Sequence, residues 1–462
     1  MFDTNVYVER RAKLRKMFGN GLLLFVGNDE SPMNYHSNTY RFRQDSTFLY
    51  YWGINYPNCA AIIDIEKDTE CLYMNDVDID DIIWMGPQES GKNKGARVGV
   101  KSVHPFKELF TSINNALRSG RKIHFLPPYR QDSAELLSTL LGIKSKCIQN
   151  YVSQKFIKAV VEMRSVKEEC EIAEIEKACN IGYKMHTAMM KMCKPGAMEY
   201  ELAGTIEGIA LSHNGNVSFP VILSQNVQTL HNHDHSQKLT QGRMMIIDAG
   251  AETEMNYCSD FTRTIPVGGK FSQKQKDIYN IVLQANNRVI ELSKPGVTYQ
   301  SIHLESAKII AQGLCDLGLL KGNVDEIVQN GAHALFFPHG LGHMMGLDVH
   351  DMENLGENYV GYDNEIVRST QFGTSALRMG RKLEKGFVIT DEPGIYFIPE
   401  LISKWKTEKI NQQFINYDKV EEYVEVSGVR IEDDLLITEN GCRLLGKKRI
   451  PVTVEEIENE MN

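Results

Sequence analysis

Apolar residues recur at helical spacing in the middle of the chain. They lie about one turn apart between Ile172 and Met185, and the Ser-Val-Lys-Glu sequence at 165–168 has the residue types of a capping box. The pattern stops at the Lys-Pro-Gly triplet of 194–196, because proline and glycine both disfavour a continuing helix. We predict a long amphipathic helix that begins near Ser165, and a further helix after Gly196.

The same order of elements occurs again later in the chain. Ser-Gln-Lys-Gln at 272–275 is another capping box, and a second Lys-Pro-Gly triplet at 294–296 ends the helical pattern that follows it. Two strand-like segments also match each other. Each has a glycine, an apolar run, a carboxylate and a second glycine at identical offsets, in 242–250 and 386–394.

Each of these strands is followed by another strand that carries an acid. The first pair of acids is Asp248 and Asp260, and the second pair is Glu392 and Glu432. Duplicated halves often build one site between them. The repeats therefore predict two pseudo-equivalent halves that each contribute two inward-facing carboxylates.

The first third of the chain has a different pattern. Short strand-like runs at 21–27 and 60–64 alternate with helical stretches, and catalytic clusters are few. We predict a separate α/β domain at residues 1–160 and a second domain at 161–462, with the boundary near 155–165.

Composition excludes several classes of protein. With 462 residues, 42% hydrophobic and 24% charged, the chain has the composition of an ordinary globular protein of two or three domains. A net charge of −9 argues against a nucleic-acid partner, and no apolar run is long enough to span a membrane. The nine cysteines are scattered without a CxxC pair, which is typical of reduced thiols. We expect a cytoplasmic protein.

Four carboxylates that meet at the ends of apolar strands would repel one another unless a cation is present. Two divalent ions would neutralise them, and a neutral imidazole could complete one coordination shell. The Pro-His-Gly-Leu-Gly-His sequence at 338–343 offers His343 for this purpose. Its glycines disfavour a helix and it contains no HExxH glutamate, so we predict a glycine-rich turn rather than a helical zinc site.

Together these residues resemble the pita-bread metallopeptidases of the aminopeptidase P and prolidase family, which cleave Xaa-Pro bonds. The family binds two metal ions through two aspartates, one histidine and two glutamates. The matching positions here are Asp248, Asp260, His343, Glu392 and Glu432. The resemblance implies two divalent ions, for which we favour manganese with cobalt or zinc as alternatives, and a bridging hydroxide as the nucleophile.

The resemblance also implies roles for residues that do not bind metal. Glu392 would transfer protons in addition to binding metal. Three histidines, His231, His339 and His350, would orient the substrate, contact the proline and stabilise the tetrahedral intermediate. Arg430, on the same strand face as Glu432, and Tyr396 are candidates for substrate binding.

A Phe-Arg-Gln-Asp-Ser sequence at 42–46 is similar to the first domain of the family. The resemblance thus implies an α+β chain, in which a creatinase- and prolidase-like α/β domain is followed by a pita-bread catalytic domain with pseudo-twofold symmetry. In the family the first domain caps the site and helps oligomers to form. We expect a homo-oligomer, a dimer or a tetramer, that acts on proline-containing peptides.

Two features depart from the family pattern. The spacing from Asp248 to Asp260 is one residue longer than usual, and this residue must be absorbed in the turn at 252–256 or in a bulge if both acids are to face the site. The polar segment at 353–382 is longer than in compact members, and predicts a surface loop near the site mouth.

Simpler interpretations remain for several residues. His350 and Asp351 could form a buried structural pair, and Arg430 could neutralise the acids at 433–434 on the surface. The other histidines of 233–235 fit a solvated loop. For the function, an Xaa-Pro dipeptidase is the main alternative to an aminopeptidase, since both share the five ligands. A non-catalytic peptide-binding protein on the same fold is disfavoured because the ligand set is intact.

Overall fold

The computed structural model describes residues 1–462, which form two compact units. The first unit comprises Met1–Arg164 together with Glu353–Tyr359. The second comprises Ser165–Met352 and Val360–Asn462. A short segment from late in the chain thus belongs to the first unit, which no pattern in the sequence indicated.

The first unit is built on one mixed sheet. Its elements, in chain order, are α1 (Thr4–Lys16), β1 (Leu22–Val26), α2 (Ser46–Trp52), β2 (Ala60–Asp64), β3 (Thr69–Tyr73), α3 (Ile79–Met85), α4 (Gly91–Arg97), β4 (Ser102–His104), α5 (Glu108–Arg118), β5 (Ile123–His124), α6 (Gln131–Leu141) and α7 (Gln154–Ser165). The five strands are ordered β4-β3-β2-β1-β5, and the core packs their apolar side chains against α5 and α6. The strands predicted at 21–27 and 60–64 are confirmed as β1 and β2.

The second unit contains the remaining elements. They are α8 (Glu169–Met192), α9 (Glu199–Ser212), β6 (Asn216–Val217), β7 (Ile222–Ser224), β8 (Met244–Asp248), β9 (Ala251–Glu252), β10 (Thr262–Pro266), α10 (Gln273–Leu292), α11 (Tyr299–Asp316), α12 (Val324–Gln329), α13 (Glu357–Val360, largely in the first unit), β11 (Val388–Asp391), β12 (Gly394–Tyr396), α14 (Pro399–Glu408), α15 (Tyr417–Glu421), β13 (Gly428–Arg430), β14 (Asp433–Ile437), β15 (Cys442–Leu444) and α16 (Val454–Glu460).

The two predicted halves are visible in this order of elements. In each half two long helices precede a set of antiparallel strands, with the sheet β10-β8-β7 in the first half and β11-β14-β15 in the second. An isolated bridge between Thr262 and Glu432 joins the two halves at the strand ends. The α+β fold class with two related halves is therefore confirmed.

The predicted start of the first long helix is wrong by a few residues. Ser165 is the last residue of α7, and its hydroxyl accepts a hydrogen bond from Arg381 Nη2 at 2.8 Å. The helix begins at Glu169, and the Glu168 N–H donates to Glu171 Oε2 at 3.0 Å. The Ser-x-x-Glu pattern was misleading because a carboxylate three residues further on caps the helix instead. The start of α10, with Ser272 as N-cap, is confirmed.

The segment at 353–382 is not simply the polar surface loop that was predicted. Val360, Leu377 and Met379 are buried, and Gly380 N–H donates to Gly361 O at 2.8 Å. These apolar residues, spaced among the polar ones, anchor the later part of the segment in the second unit.

None of the helices has both the length and the hydropathy that a bilayer crossing requires.

Candidate active site

Asp248 is the last residue of β8, the central strand of a three-stranded sheet, and all five residues of this strand are buried. The register of the sheet places it opposite Thr262 on one side and Ile222 on the other. Its Oδ2 accepts a hydrogen bond from Arg430 Nη2. Two neighbouring strands and one guanidinium therefore fix this carboxylate.

Asp260 follows the hairpin after β8. A tight turn closes this hairpin, with Thr253 N–H donating to Tyr257 O at 2.9 Å and Asn256 in the left-handed region at φ 66°. Asparagine tolerates this conformation better than most residues, so the turn can absorb the extra residue. Asp260 N–H donates to Asp434 Oδ2 at 3.0 Å, and Asp260 Oδ1 is buried without a hydrogen-bond partner.

His343 lies in the predicted glycine-rich turn, which is not helical. A Cβ on Gly342 would lie 2.2 Å from Thr390 O, so only glycine allows this turn to approach β11 so closely. The two segments are joined there by a backbone hydrogen bond, in which Thr390 N–H donates to His343 O at 3.0 Å. The His343 Nδ1 lies 3.0 Å from Met344 O, which assigns the proton to Nδ1 and leaves an electron pair on Nε2.

Glu392 and Glu432 complete the set from the second half. Glu392 follows β11, and its N–H donates to Leu341 O at 2.9 Å. Glu432 lies in the break between β13 and β14, and its Oε2 accepts a hydrogen bond from the Thr262 hydroxyl at 2.7 Å. The same hydroxyl oxygen accepts from Arg430 Nε at 3.2 Å.

The five side chains predicted to bind metal line one cavity of about 620 Å³. Ligand atoms of Asp260, His343 and Glu432 all lie within 4.8 Å of one another, and all three residues are buried. His343 Nε2 is 3.4 Å from Asp260 Oδ2 and 3.8 Å from Glu392 Oε1. Such a group of oxygen atoms and one nitrogen atom has the composition of a site for a hard or borderline divalent cation.

Burial opposes ionisation of three of these acids, Asp260, Glu392 and Glu432. Burial raises the pKa of Asp260 well above its ordinary value, and repulsion by Asp248 raises it further. Burial and then repulsion by Asp260 do the same for Glu432. Burial raises the pKa of Glu392 to about 7, although Arg430 opposes this shift. Each carboxylate would become easier to ionise if cations were bound between them.

The residues predicted to contact the substrate rather than metal lie in or beside the same cavity. His231, His339, His350 and Arg430 line it, and the rings of His350 and His343 are 4.1 Å apart. Tyr396 is buried beside them, and its hydroxyl accepts from Arg430 Nη1 at 2.8 Å.

His339 is held in one tautomer. Its Nδ1 lies 2.8 Å from Gly340 O, and its Nε2 lies 2.9 Å from the Tyr396 hydroxyl. Nδ1 must donate to the carbonyl, so Nε2 accepts from the tyrosine. Burial lowers the pKa of His339 to about 3, so the ring is neutral.

The surface alternative for Arg430 is wrong. Arg430 is buried and pairs with Asp248, while the Asp433 carboxylate accepts from Arg263 and Arg449. Asp351, proposed as a partner of His350, accepts from Lys167 Nζ at 2.8 Å.

Sequence reasoning missed other residues of the cavity. Arg378 and His233 line it, the latter having been assigned to a solvated loop, and Phe219 and Pro220 supply apolar surface. Thr262, which bridges Arg430 and Glu432, was also missed. Nothing in the sequence singled out Arg378, because Arg381 and Lys382 follow it closely and carry the same charge.

Two family models match the chain. One, described as Metallopeptidase family M24, matches residues 173–439, and one described as Aminopeptidase P, N-terminal domain, matches residues 7–124. A protein named probable Xaa-Pro aminopeptidase pepP from Metarhizium acridum is 32% identical over 91% of this chain and 81% of its own length. The Xaa-Pro dipeptidase of Homo sapiens is 30% identical over 97% of this chain and 90% of that protein.

A solved structure points the same way. Aminopeptidase P from E. coli with the inhibitor Pro-Leu matches with a TM-score of 0.80 at 29% identity, and covers 100% of this chain and 98% of that one. Because the first family model spans more than half of the sequence and the relatives align along nearly all of it, this chain belongs to metallopeptidase family M24.

Proposed function

We propose that this enzyme hydrolyses the bond between an N-terminal residue and proline, as an Xaa-Pro aminopeptidase that uses two divalent metal ions. The observation that carries the proposal is the buried convergence of Asp260, His343 and Glu432, with ligand atoms within 4.8 Å, in a cavity shared with Asp248 and Glu392. The similarity to proteins named Xaa-Pro aminopeptidase supports the choice of substrate.

The donor atoms fit a metal site. Asp260 Oδ1 is buried without a hydrogen-bond partner, which is costly unless a cation binds it. The His343 tautomer directs an unprotonated Nε2 at the carboxylates of Asp260 and Glu392, as a metal-binding imidazole requires. We infer that Asp248, Asp260, His343, Glu392 and Glu432 would hold the ions. A set of oxygens with one nitrogen favours manganese, with cobalt or zinc as alternatives.

Bound divalent ions supply Lewis acidity, which polarises the scissile carbonyl and lowers the pKa of water. The protein supplies the proton carrier. Glu392 is the residue for this role, because its carboxylate is the most exposed of the four and so has access to water in the cavity. It would take a proton from water and give it to the nitrogen of the departing proline.

The rest of the cavity is suited to bind a peptide that contains proline. Apolar surface from Phe219, Pro220 and Leu230 can pack against a pyrrolidine ring. His339, with both nitrogens engaged, presents a neutral ring whose position is fixed by Tyr396. We infer that this ring positions the substrate and that His231 and His350 contact its polar groups.

A second candidate function is an Xaa-Pro dipeptidase. Arg378 lines the same cavity, and a guanidinium can bind a free C-terminal carboxylate through two hydrogen bonds. In a dipeptide that carboxylate belongs to the proline itself, so it lies next to the scissile bond. The similarity to the human protein named Xaa-Pro dipeptidase supports this alternative.

We also propose a homo-oligomer, a dimer or a tetramer, in which the domain at 1–160 contributes to assembly. The exposed apolar side chains of α3 support this role, since Ile79, Ile83, Trp84 and Met85 are each at least 68% exposed. All nine cysteines are free thiols, which supports a reducing, cytoplasmic compartment.

One set of assays tests the proposal. Purified protein is stripped with a chelator, reloaded with Mn²⁺, and supplied with an Xaa-Pro dipeptide, an Xaa-Pro-Yaa tripeptide and a longer peptide of the same N-terminal sequence. We expect Mn²⁺ to restore cleavage, with the tripeptide and the longer peptide preferred. Peptides with alanine in place of proline are the control.

The outcomes separate the candidates. Cleavage of the dipeptide alone would replace the aminopeptidase by the dipeptidase. Activity that survives complete removal of metal would contradict the metal-dependent mechanism, and binding without cleavage in the presence of Mn²⁺, Co²⁺ or Zn²⁺ would indicate a peptide-binding protein.

A further inference from the structure

A group of buried polar side chains lies beside two of the proposed metal ligands, and the mechanism above does not use it. Asp391 precedes Glu392, and Asp433 follows Glu432. The register of β11 and β14 places Asp391 directly opposite Asp433. Side chains alternate along strands, so these two aspartates point away from the cavity that the glutamates line.

Two side chains, Arg449 and Asn286, connect the two aspartates, and a third, Arg263, binds Asp433 alone. Arg449 donates to Asp433 Oδ2 from Nε at 3.1 Å and from Nη2 at 2.8 Å. Arg449 Nη2 also donates to Asn286 Oδ1 at 2.6 Å, and Asn286 Nδ2 donates to Asp391 Oδ2 at 3.0 Å. Arg263 Nη2 donates to Asp433 Oδ1 at 2.7 Å. We call these five residues the Arg449 network.

The network also contacts the backbone of a proposed ligand. Arg263 Nη1 donates to Glu432 O at 2.8 Å and to Thr262 O at 2.9 Å. Arg263 is fully buried, so these bonds are shielded from water. The carbonyl of Glu432 and the side chain of Asp433 after it are thus fixed by charged hydrogen bonds, which are stronger than neutral ones.

Stability alone does not explain such an arrangement. Two carboxylates directly opposite each other on neighbouring strands repel. A buried ionic group often contributes no more stability than apolar side chains of the same volume, because its desolvation costs several kcal/mol. A network of fixed hydrogen bonds does, however, determine the separation of the strand ends more narrowly than apolar packing would.

We propose that Arg449 and Asn286 are positioning residues for Glu392 and Glu432. By joining Asp433 to Asp391 they fix the distance between the ends of β11 and β14, and with it the distance between the two glutamates. This inference rests on the proposed function, in which both glutamates bind metal. Residues that orient metal ligands in this way typically contribute about 10- to 100-fold to metal affinity or activity.

The test compares Arg449→Met, Arg449→Lys and Asn286→Ala with the wild-type enzyme. The matched control is Arg443→Met. Arg443 lies on β15, outside the network, and pairs with Glu176. Measurements are the Mn²⁺ dissociation constant by competition with a chelating dye, kcat and KM for an Xaa-Pro-Yaa peptide, and the melting temperature. Arg449→Lys keeps the charge but cannot make the forked contact.

We expect Arg449→Met and Asn286→Ala to weaken Mn²⁺ binding about 10- to 100-fold and to lower kcat, with KM changed less than about twofold. Arg449→Lys should fall between them and the wild type, and Arg443→Met should match the wild type. Arg449 is partly exposed, so its variants decide the question if Asn286→Ala does not fold.

Wild-type Mn²⁺ affinity and kcat in folded Arg449→Met would overturn the inference, even if the melting temperature fell. A wild-type enzyme without metal-dependent cleavage would instead overturn the proposed function. The two failures are therefore separate results of one experiment.

Discussion

The two halves of the second unit hold three of the four carboxylate residues reciprocally, each from the opposite half, and hold the fourth differently. In the first half, Asp248 is held by Arg430, and the N–H of Asp260 by Asp434, both from the second half. In the second half, Glu432 is held by Thr262 and Arg263, both from the first half. Glu392 differs from these three, because the contact that fixes its backbone comes from Leu341 in its own half.

This comparison shows that one site can combine residues held by the opposite half with a carboxylate that is more exposed. Three of these residues are fixed across the boundary between halves, so neither half could form the site alone. Glu392 is 18% exposed, against 10% for Asp248 and 6% for Asp260. If Glu392 transfers protons as proposed, its carboxylate needs access to water, and it is the most exposed of the four.

The largest effect is expected from Glu432→Gln. This change keeps the shape of a side chain that is held from the opposite half, and removes its charge. If Glu432 binds metal, kcat/KM should fall about 10³-fold, because metal ions stabilise the transition state by several kcal/mol. Steady-state kinetics with saturating Mn²⁺ measure the change. The control is Glu254→Gln, an exposed carboxylate outside the cavity. Activity near that of the wild type would exclude Glu432 from the site.

A smaller effect is expected from Arg430→Met. This change removes the guanidinium that holds Asp248 and keeps all four carboxylates. Asp248 would lose its ion-pair partner, and we expect kcat/KM and Mn²⁺ affinity to fall about 10²-fold. Dye competition and kinetics provide the measurements, with Arg443→Met as the control. Unchanged affinity would show that Asp248 does not depend on the opposite half.

Arg378→Met tests a group of the second half that lines the cavity and is not one of the proposed metal ligands. If its guanidinium binds a free carboxylate, KM for an Xaa-Pro dipeptide should rise about 10- to 100-fold, since hydrogen bonds to charged groups contribute 1.5–3 kcal/mol. KM for a longer peptide should stay near the wild-type value. Equal changes for both peptides would contradict this role and weaken the case for a dipeptidase.

The smallest expected effect concerns the protonation of Glu392 in metal-free enzyme. Its pKa in the folded chain is about 7, above the ordinary value of 4.5, so the folded state binds this proton more tightly than the unfolded state does. Stability should therefore rise as the pH falls from 8 to 6, by about 1.4 kcal/mol for one group. Thermal melts with a chelator should show an increase of about 1–2 °C, because a chain of this length has a large unfolding entropy.

Two controls accompany this measurement. With Mn²⁺ bound, the carboxylate is held ionised, and the rise between pH 8 and pH 6 should disappear. Metal-free Glu392→Gln should show a smaller rise, since Asp260 and Glu432, whose pKa values are also raised, keep their own contributions. A wild-type enzyme whose melting temperature falls over the same interval would show that Glu392 is not the group that dominates.

Much of the fold could be predicted because local periodicity reports it directly. The helices α8 and α10 and the strands β1, β2, β8 and β11 follow from spacing and from glycine and proline positions. The start of α8 could not, since Ser165 and Glu168 both have capping side chains and only the preceding helix decides between them.

The sequence by itself identified the candidate metal ligands, because carboxylates at the ends of apolar strands are costly unless a cation binds them. It also determined that the site is shared between halves, since the repeat of glycine, strand and acid is written in 242–250 and 386–394. Only the tertiary structure decided the partners. Arg430 lies 182 residues from its partner Asp248 in the sequence. Lys167 lies 184 residues from its partner Asp351. Strand alternation tells which face a side chain occupies, but its partner depends on how distant segments pack.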